Sequence, residues 1–400
     1  MACTVGGRAT PSLRIAMMTC SDYQMDARVK RAAEALLERG HEVDLMCLGR
    51  EDAPVADHQG SLRVLRPPMV RNYTSPTISV FQYCLFFMWA LCLTTFRDRR
   101  RKYDLVYVHN MPNFLVFAAL IPKLRGAKVL VDVHDPVPEL LATVRRSHTP
   151  GWLLWLARAE ERVSLSFSDA VITVNESMRQ RLVHAVPAQT HMSVVMNLPD
   201  PKIFTPVNPS HETSSNPFLV YSGTIARRHG LDLAVRALAL VADEFPNLHI
   251  RLIGMGPSVT SVSALAERLG VAKRVEFLEE VRLEEIPALV TGAVGGLSPH
   301  REDAFGSLVF SVKVAEYISL GIPVICSRIG AMRHYFCEDE LFFFNPDDVN
   351  DLARAIRELL SDPIAAEQRS IRSQQKLRQL DWSMQRGVLV RTVECLVAKS

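Results

Sequence analysis

The sequence predicts an α/β protein made of two doubly wound domains in tandem. Short apolar runs of strand length alternate with stretches of helical periodicity through most of the chain, the pattern of parallel sheets. The alternation occurs twice, on either side of a segment rich in Pro, Ser and Asn, residues 196–217, that has no periodicity of its own. A length of 400 residues also suits two domains, each large enough to bury a core.

The first series opens after a polar tail. Residues 13–20 (LRIAMMTC) read as a buried strand, 27–38 as a helix that Gly40 stops, and 41–49 as a second strand. Further strands are expected at 103–110, 127–135 and 169–175, with helices at 114–124 and 152–167 between them. In the second series FLVYSG precedes a helix at 231–245, LHIRLIG one at 259–269, and RVEFLEEV one near 284–291, while VGGLSP and IPVICS complete the strands. The domain boundaries fall at 1–198 and 199–379. Doubly wound sheets bind ligands beyond the carboxyl ends of their strands. The functional residues are therefore expected in strand-to-helix loops, lining a cleft between two facing domains.

Charge is nearly balanced, 46 Lys plus Arg against 43 Asp plus Glu, for a net +3. That argues against nucleic acid as a partner, which selects a strongly basic face. With 48% hydrophobic and 22% charged residues, the chain has neither a disordered nor a fibrous composition. Eight cysteines, Cys3 the first, form no C-x-x-C pair and show no zinc-ligand spacing. They are expected as buried free thiols in a reducing compartment, and no metal is expected. The polar start lacks a secretory h-region, so the expected location is cytoplasmic; peripheral attachment to the inner face of the membrane is the alternative that the segment described next offers.

That segment interrupts the α/β pattern. From Ile78 to Phe96 the chain is almost continuously apolar (ISVFQYCLFFMWALCLTTF), and the run RDRRRK follows from Arg97 to Lys102. Its length reaches that of a membrane span, yet a crossing at this point would tear the first sheet in two. Three readings stand: a core or subunit-contact helix, which is preferred, an in-plane membrane-docking helix assisted by the basic run, and a true span.

Familiar catalytic signatures are absent, with no G-x-x-x-x-G-K-[ST], H-E-x-x-H or G-x-S-x-G. Gly254-Met255-Gly256 follows a strand as a dinucleotide fingerprint would, but Val259 stands at the third glycine position. A tight strand-to-helix turn accounts for it equally. The densest constellation is 299–324, PHREDAFGSLVFSVKVAEYISLGIPV, where a short helix places Lys313 and Glu316 on one face. Glu316 has the acceptor lone pairs to take two neighbouring ribose hydroxyls; the alternative is an exposed ion pair with Lys313. In YSGTIARRHGLDLAVRAL the strand breaks at Gly223, and Arg227, Arg228 and His229 precede a helix start. Guanidinium forks beside free helix N–H groups suit a diphosphate, and a solvated basic loop is the alternative.

Taken in order, DARV (26–29), VDVHD (131–135), NLPDPKIF (197–204), GTIARRHGLD (223–232), LIGMGP and KVAEYISLGIPV resemble a known family. They are similar to the retaining, sugar-nucleotide-dependent glycosyltransferases of the glycosyl transferase group 1 family, whose GT-B fold sets two Rossmann-like domains across a cleft. The resemblance covers nearly the whole chain, and its most specific piece is the K-x-x-E-Y-x-x-x-G-x-P-V stretch, which points to a sub-branch. It implies transfer of a sugar from a nucleoside diphosphate donor, with no metal and no cofactor beyond that donor. It implies that Glu316 bonds the donor ribose, that Arg228 holds the diphosphate with His229 in the place of a usual lysine, and that Gly223 opens that loop. Gly254, Gly256 and Lys313 fall to the same donor site, and His134 is implied to approach the transferred sugar. His134 and Arg228 are thus the catalytic candidates. The acceptor is implied on the N-terminal domain, to which a C-terminal helix at about 380–400 crosses back. With the apolar segment in that domain, the expected acceptor is a lipid-linked glycan or another cell-surface polysaccharide precursor.

One departure bears on mechanism. Where the family has a first glutamate, eight positions before Glu316, stands Leu308. Glu302 or Asp303 takes that place only if the loop slips, so Arg301, Glu302 and Asp303 are carried as a sugar-contacting loop. Leu308 and His229 motivate a second reading, a catalytically silent GT-B scaffold or regulatory subunit. A nicotinamide-dependent oxidoreductase, the third, rests on the two Rossmann-like domains and the defective glycine turn.

Overall fold

The computed structural model describes residues 11–24, 26–49, 54–69, 76–144, 149–206 and 216–398. The expected tail with Cys3, and residues 207–215 of the expected linker, lie outside them. The chain divides into two compact units, residues 1–196 with 383–400, and residues 197–382.

The first unit is built on an eight-stranded sheet. Its strands are β1 (Arg14–Asp22), β2 (Glu42–Leu48), β3 (Ala56–Gln59), β4 (Leu62–Leu65), β5 (Leu105–His109), β6 (Lys128–Val133), β7 (Ala170–Thr173) and β8 (His191–Val194). The order across the sheet is β3-β4-β2-β1-β5-β6-β7-β8, parallel throughout except for the antiparallel β3–β4 pair. Most residues of β1, β2 and β5 are buried, as strands covered on both faces require. Chain order reverses between the neighbours β1 and β5, so their carboxyl ends open the switch-point crevice of this sheet.

The second unit has a six-stranded, all-parallel sheet. Its strands are β9 (Phe218–Ser222), β10 (His249–Ile253), β11 (Val275–Leu278), β12 (Gly295–Ser298), β13 (Val324–Ser327) and β14 (Phe342–Phe344), in the order β11-β10-β9-β12-β13-β14. Its switch point lies between β9 and β12. The core joins Leu219, Tyr221, Ile250, Leu252, Leu297 and Ile325 of the sheet to Leu231, Ala234, Val235 and Leu238 of the helix Leu231–Leu240.

Several helices differ from the sequence reading for a physical reason. The expected helix at 114–124 is a 3-10 turn, Asn113–Ala119, followed by a short α-helix, Leu120–Leu124. Pro122 lacks the N–H that a continuous helix needs there. Pro287 likewise divides 284–291 into a 3-10 turn, Leu283–Glu285, and a helix, Ile286–Val290. The C-terminal helix Trp382–Ala398 packs within the first unit, where Gln385 Oε1 accepts from the Met196 N–H at 2.9 Å, Thr392 bonds Ser193 at 3.0 Å, and Glu394 pairs with Arg39 at 3.0 Å.

The apolar segment forms the helix Pro76–Arg100. Among its described side chains only Phe86, Ala90, Thr94 and Asp98 are buried, one residue per turn. Asp98 accepts from the Tyr103 N–H at 2.9 Å and pairs with Arg125 at 2.5 Å. Thr94 lies 3.5 Å from Met46 Sδ of β2. The core half of the preferred reading, a core or subunit-contact helix, is corrected by the rest of the surface, since Ile78, Val80, Phe81, Leu85, Met88 and Phe96 are all exposed. The described cysteines are free thiols, but their expected burial holds for Cys20, Cys47 and Cys326 and is corrected for Cys84, Cys92 and Cys337, which are exposed.

Candidate functional site

Two polar clusters sit at the two switch points, and each is described within its own unit.

In the second unit the chain leaves β9 at Gly223, whose φ of +126° only glycine adopts readily. Its N–H donates to Ile253 O at 2.9 Å, and the Ile225 N–H donates to Met255 O at 2.8 Å, so this loop lies directly against the turn after β10. Gly254 and Gly256 make that approach possible: a Cβ on either would stand 2.3 Å from the carbonyl oxygen of Gly223 or Ile225. Their role is to shape the loop, which is the tight-turn alternative to a dinucleotide fingerprint. The loop then forms a 3-10 turn, Arg227–His229, and Gly230 with φ +62° opens the helix Leu231–Leu240, whose N-terminus has no side-chain cap. A Cβ on Gly230 would lie 1.9 Å from Pro299 O at the end of β12. Gly230→Ala is therefore expected to push this turn away from β12. Left-handed backbone alone costs about 1–2 kcal/mol, or about 2–8 °C in melting temperature for a unit of this size, and a thermal melt reads it.

The K-x-x-E-Y stretch occupies the helix Val312–Ser319, which ends at Leu320 before Gly321 with φ +81°. Tyr317 is fully buried; its hydroxyl accepts from the Ser222 N–H at 2.7 Å and fastens the end of β9. Its ring occupies the space that a side chain at Gly296 would fill, with a Cβ there 2.2 Å from the ring. The helix is thereby held at the mouth of β9, where Lys313 Nζ reaches the Tyr221 hydroxyl at 3.2 Å, lies 4.4 Å from the Tyr221 ring centroid, and packs against Gly223. Glu316 is half-buried on the same helix, close enough for its charge to favour the Lys313 ammonium.

Cations converge here. Arg228 is half-buried, its Nε lies in the interior with no hydrogen-bond partner, and it faces the Phe305 ring at 5.9 Å. His229 Nδ1 meets His300 Nε2 at 3.0 Å, His300 Nδ1 meets the Ser298 hydroxyl at 3.0 Å, and Ser298 donates to Ser311 at 3.1 Å. Burial, with Lys313 and Arg228 nearby, pushes the His300 pKa down to about 3. The same causes, burial foremost, push His229 far below the ordinary histidine value, so both rings are neutral. Lys313 falls to about 8, mostly through burial and further through Arg228, against the favourable pull of Glu316. An anion placed beside Arg228 and Lys313 would favour the charged form of Lys313.

The expected sugar-contacting loop is occupied with its own architecture. Arg301 pairs with Asp232 at 2.6 Å and with Asp347, and its Nε donates to Arg227 O at 3.2 Å, which braces the turn carrying Arg228. Asp303 accepts from the Phe305 and Gly306 N–H groups at 3.0 and 2.6 Å. Glu302 is exposed, and Leu308 is half-buried in the 3-10 turn Gly306–Leu308.

In the first unit His134 follows β6. Its Nε2 lies 3.1 Å from Asp132 Oδ1 and 3.3 Å from His109 Nδ1, at the end of β5. Tyr107 donates to Asp132 Oδ2 at 2.8 Å, and Asn110 Oδ1 accepts from the His134 N–H at 2.8 Å. All five side chains are buried. Burial opposes a charge on Asp132, but His134, His109 and the Tyr107 hydroxyl overcome it and hold the carboxyl far below its usual range. Asp26 of DARV caps the helix Ala27–Leu37 and accepts from the Ser21 hydroxyl at 2.9 Å. Burial would raise its pKa, yet Arg28, His134 and His109 lower it. The potential ligand atoms of His109, Asp132 and His134 lie within 4.8 Å of one another, the one such grouping among the described residues, and they are engaged in hydrogen bonds among themselves and with Tyr107. Sequence reasoning missed His109 and Asp132. Their signal was His109, the polar residue that ends β5, and Asp132, a lone acid inside the apolar run of the adjacent β6.

Comparison with known proteins adds to this geometry. A family model for a glycosyl transferase 4-like domain matches residues 25–197, and one for glycosyl transferases group 1 matches residues 207–377. The chain is 26% identical over 227 residues to a GDP-mannose-dependent alpha-(1-6)-phosphatidylinositol monomannoside mannosyltransferase of Mycolicibacterium smegmatis, covering 54% of this chain and 59% of that protein. It is 25% identical over 366 residues to 2-deoxystreptamine glucosyltransferase of Streptomyces kanamyceticus, covering 85% and 90%. Sucrose-phosphate synthase from Thermosynechococcus elongatus superposes with a TM-score of 0.79 at 20% identity, covering 97% of this chain and 100% of that one.

Proposed function

The chain belongs to the group 1 glycosyltransferases of GT-B fold, and from that premise we propose that it moves a sugar from a nucleoside diphosphate donor to an acceptor with retention of anomeric configuration. The observation that carries this reading is the cation cluster at the switch point of the second sheet. Arg228, with no carboxylate partner among the described residues, and Lys313 stand beside an uncapped helix N-terminus. That set fits a diphosphate in charge and in hydrogen-bonding capacity. Glu316, three residues from Lys313, accepts the ribose hydroxyls. As the bond to the sugar lengthens, negative charge grows on the leaving diphosphate, and fixed cations stabilise it. The chemistry then calls for neither a metal nor a further cofactor.

The acceptor belongs to the first unit in this reading, where buried Asp132 holds the ring of His134. A lipid-linked or cell-surface polysaccharide precursor is the proposed class, with a cytoplasmic location; the M. smegmatis relative is named for a phosphatidylinositol mannoside acceptor.

A panel of UDP-, GDP- and ADP-sugars tests the proposal by thermal shift and by release of the nucleoside diphosphate. A cognate donor at a hundred times its Kd stabilises by about 2.7 kcal/mol, about 5–10 °C for a unit of this size. Glu316→Ala is expected to weaken nucleotide affinity about 10–100-fold, the loss of hydrogen bonds to a charged acceptor. Donor binding without turnover favours the silent scaffold, and no binding by any nucleotide sugar overturns the donor site.

A further inference from the structure

The first unit carries an apolar surface that none of its described residues covers, and two helices supply it. On the helix Pro76–Arg100, Ile78, Val80, Phe81, Leu85, Met88 and Phe96 are exposed, Phe81 by 64%. The helix Gly151–Ser166 presents Trp152, Trp155, Leu156 and Val163, with both tryptophans more than 65% exposed. These positions recur at i, i+3, i+4 and i+11, so they form one stripe of that helix. The turn Asn113–Ala119 packs against both. Phe114 meets Phe87 of the first helix edge to face at 5.8 Å, and Asn113 donates to Glu160 of the second at 3.0 Å. Leu120 and Leu124, which continue the turn, are exposed as well. Scattered exposed apolar residues are ordinary, but a field of this extent marks an interaction surface.

The charges beside it indicate the partner. Arg99, Arg100 and Lys102 are exposed at the end of the first helix and form no ion pair among the described residues; Arg100 stacks over Phe96 at 4.4 Å. Arg158 is exposed on the second helix. Tryptophan and phenylalanine bordered by unpaired cations, with no exposed acid on the first helix, complement an apolar layer edged by anionic headgroups. A transmembrane placement of the Pro76–Arg100 helix would extract Phe86, Ala90, Thr94 and the Asp98–Arg125 pair from the unit. Lying in the plane of the interface keeps them in place.

We propose that the helices Pro76–Arg100 and Gly151–Ser166 together dock this protein on an anionic lipid bilayer, with Trp152, Trp155, Phe81 and Met88 entering the headgroup boundary and Arg99, Arg100 and Lys102 held at its surface. The surface is independent of the donor site, so its test does not need turnover. Purified full-length protein is floated with phosphatidylcholine vesicles, with and without phosphatidylglycerol. It should float with the anionic vesicles, lose most of that binding at high salt, and show a blue shift of tryptophan fluorescence when bound. Trp152→Ser with Trp155→Ser should lower the vesicle partition coefficient more than tenfold at an unchanged melting temperature, because both side chains are exposed. Arg99→Gln, Arg100→Gln and Lys102→Gln together should abolish the preference for anionic lipid. Absence of flotation at low salt, or flotation that the tryptophan variant leaves unchanged, overturns the proposal. So does a stable dimer in light scattering that the same tryptophan variant dissociates, since the occupant is then a second copy of the chain.

Discussion

Arg228→Ala should lower kcat/KM about 10²–10³-fold and leave the free protein as stable as before. The guanidinium sits half-buried with an unpartnered Nε, amid Lys313 and two neutral histidines. His229 brings no charge, and of the two arginines in the turn Arg227 is exposed while Arg228 is half-buried, so Arg228 is the permanent cation held within the cluster. Removing a preorganised group aimed at developing charge costs about 2.7–4 kcal/mol in the transition state. In the free protein the same removal relieves repulsion, because Arg228 contributes to the depression of both Lys313 and His300. The Lys313 pKa should then rise from about 8 toward the ordinary value. Arg228→Lys keeps the charge but loses the fork that matches phosphate oxygens, and about tenfold of the loss should remain. Steady-state kinetics and a thermal melt decide the matter. A large drop in melting temperature would show that Arg228 holds the loop and does not hold a ligand.

What was legible in the sequence follows from how each feature is encoded. Strands β1, β5 and β9 are buried along most of their length on both faces, so they appear as largely apolar runs. The helix starting at Ala27 is marked by its cap Asp26, and the one ending at Leu320 by Gly321. The β3–β4 hairpin escaped notice because ADHQ is mostly exposed and polar, and β14 because FFF is only three residues long. Pro122 and Pro287 stood in plain view, and their helix-breaking effect was the missing step. At the site, Lys313 and Glu316 were marked by helical spacing. Tyr317 carries no such mark, since its hydrogen bond to Ser222 spans 95 positions. The Arg301 pairs with Asp232 and Asp347 join strand-end loops that lie far apart in the chain, and only the parallel order of the sheet brings them together.

The second large effect is a pH dependence that nucleotide reverses. His300 is buried and neutral, with a pKa of about 3 against an ordinary 6.5. Between those values the unfolded chain binds a proton that the folded chain does not, so stability is complete above about 6.5 and falls as pH falls. The slope is about 1.4 kcal/mol per pH unit for one such group. At pH 5 His300 alone removes about 2 kcal/mol, or about 4–8 °C from the melting temperature of the second unit, and His229, depressed in the same direction, adds to it. His300→Gln, which retains hydrogen-bonding capacity, should flatten this slope by one group's share. A bound diphosphate changes the local field from cationic to anionic, which raises the pKa of His300 and of Lys313 and makes binding take up protons. Nucleoside diphosphate affinity should therefore fall by up to tenfold per pH unit as pH rises above about 8, where free Lys313 loses its proton. Its protection against acid should grow once the pH falls below the raised pKa of His300. Calorimetry of nucleotide binding in buffers of different ionisation enthalpy measures the proton uptake directly. Proton release on binding above pH 8 would mean that the diphosphate does not sit beside Lys313, and a melting temperature that is flat from pH 7 to 5 would mean that His300 is not held neutral in the fold.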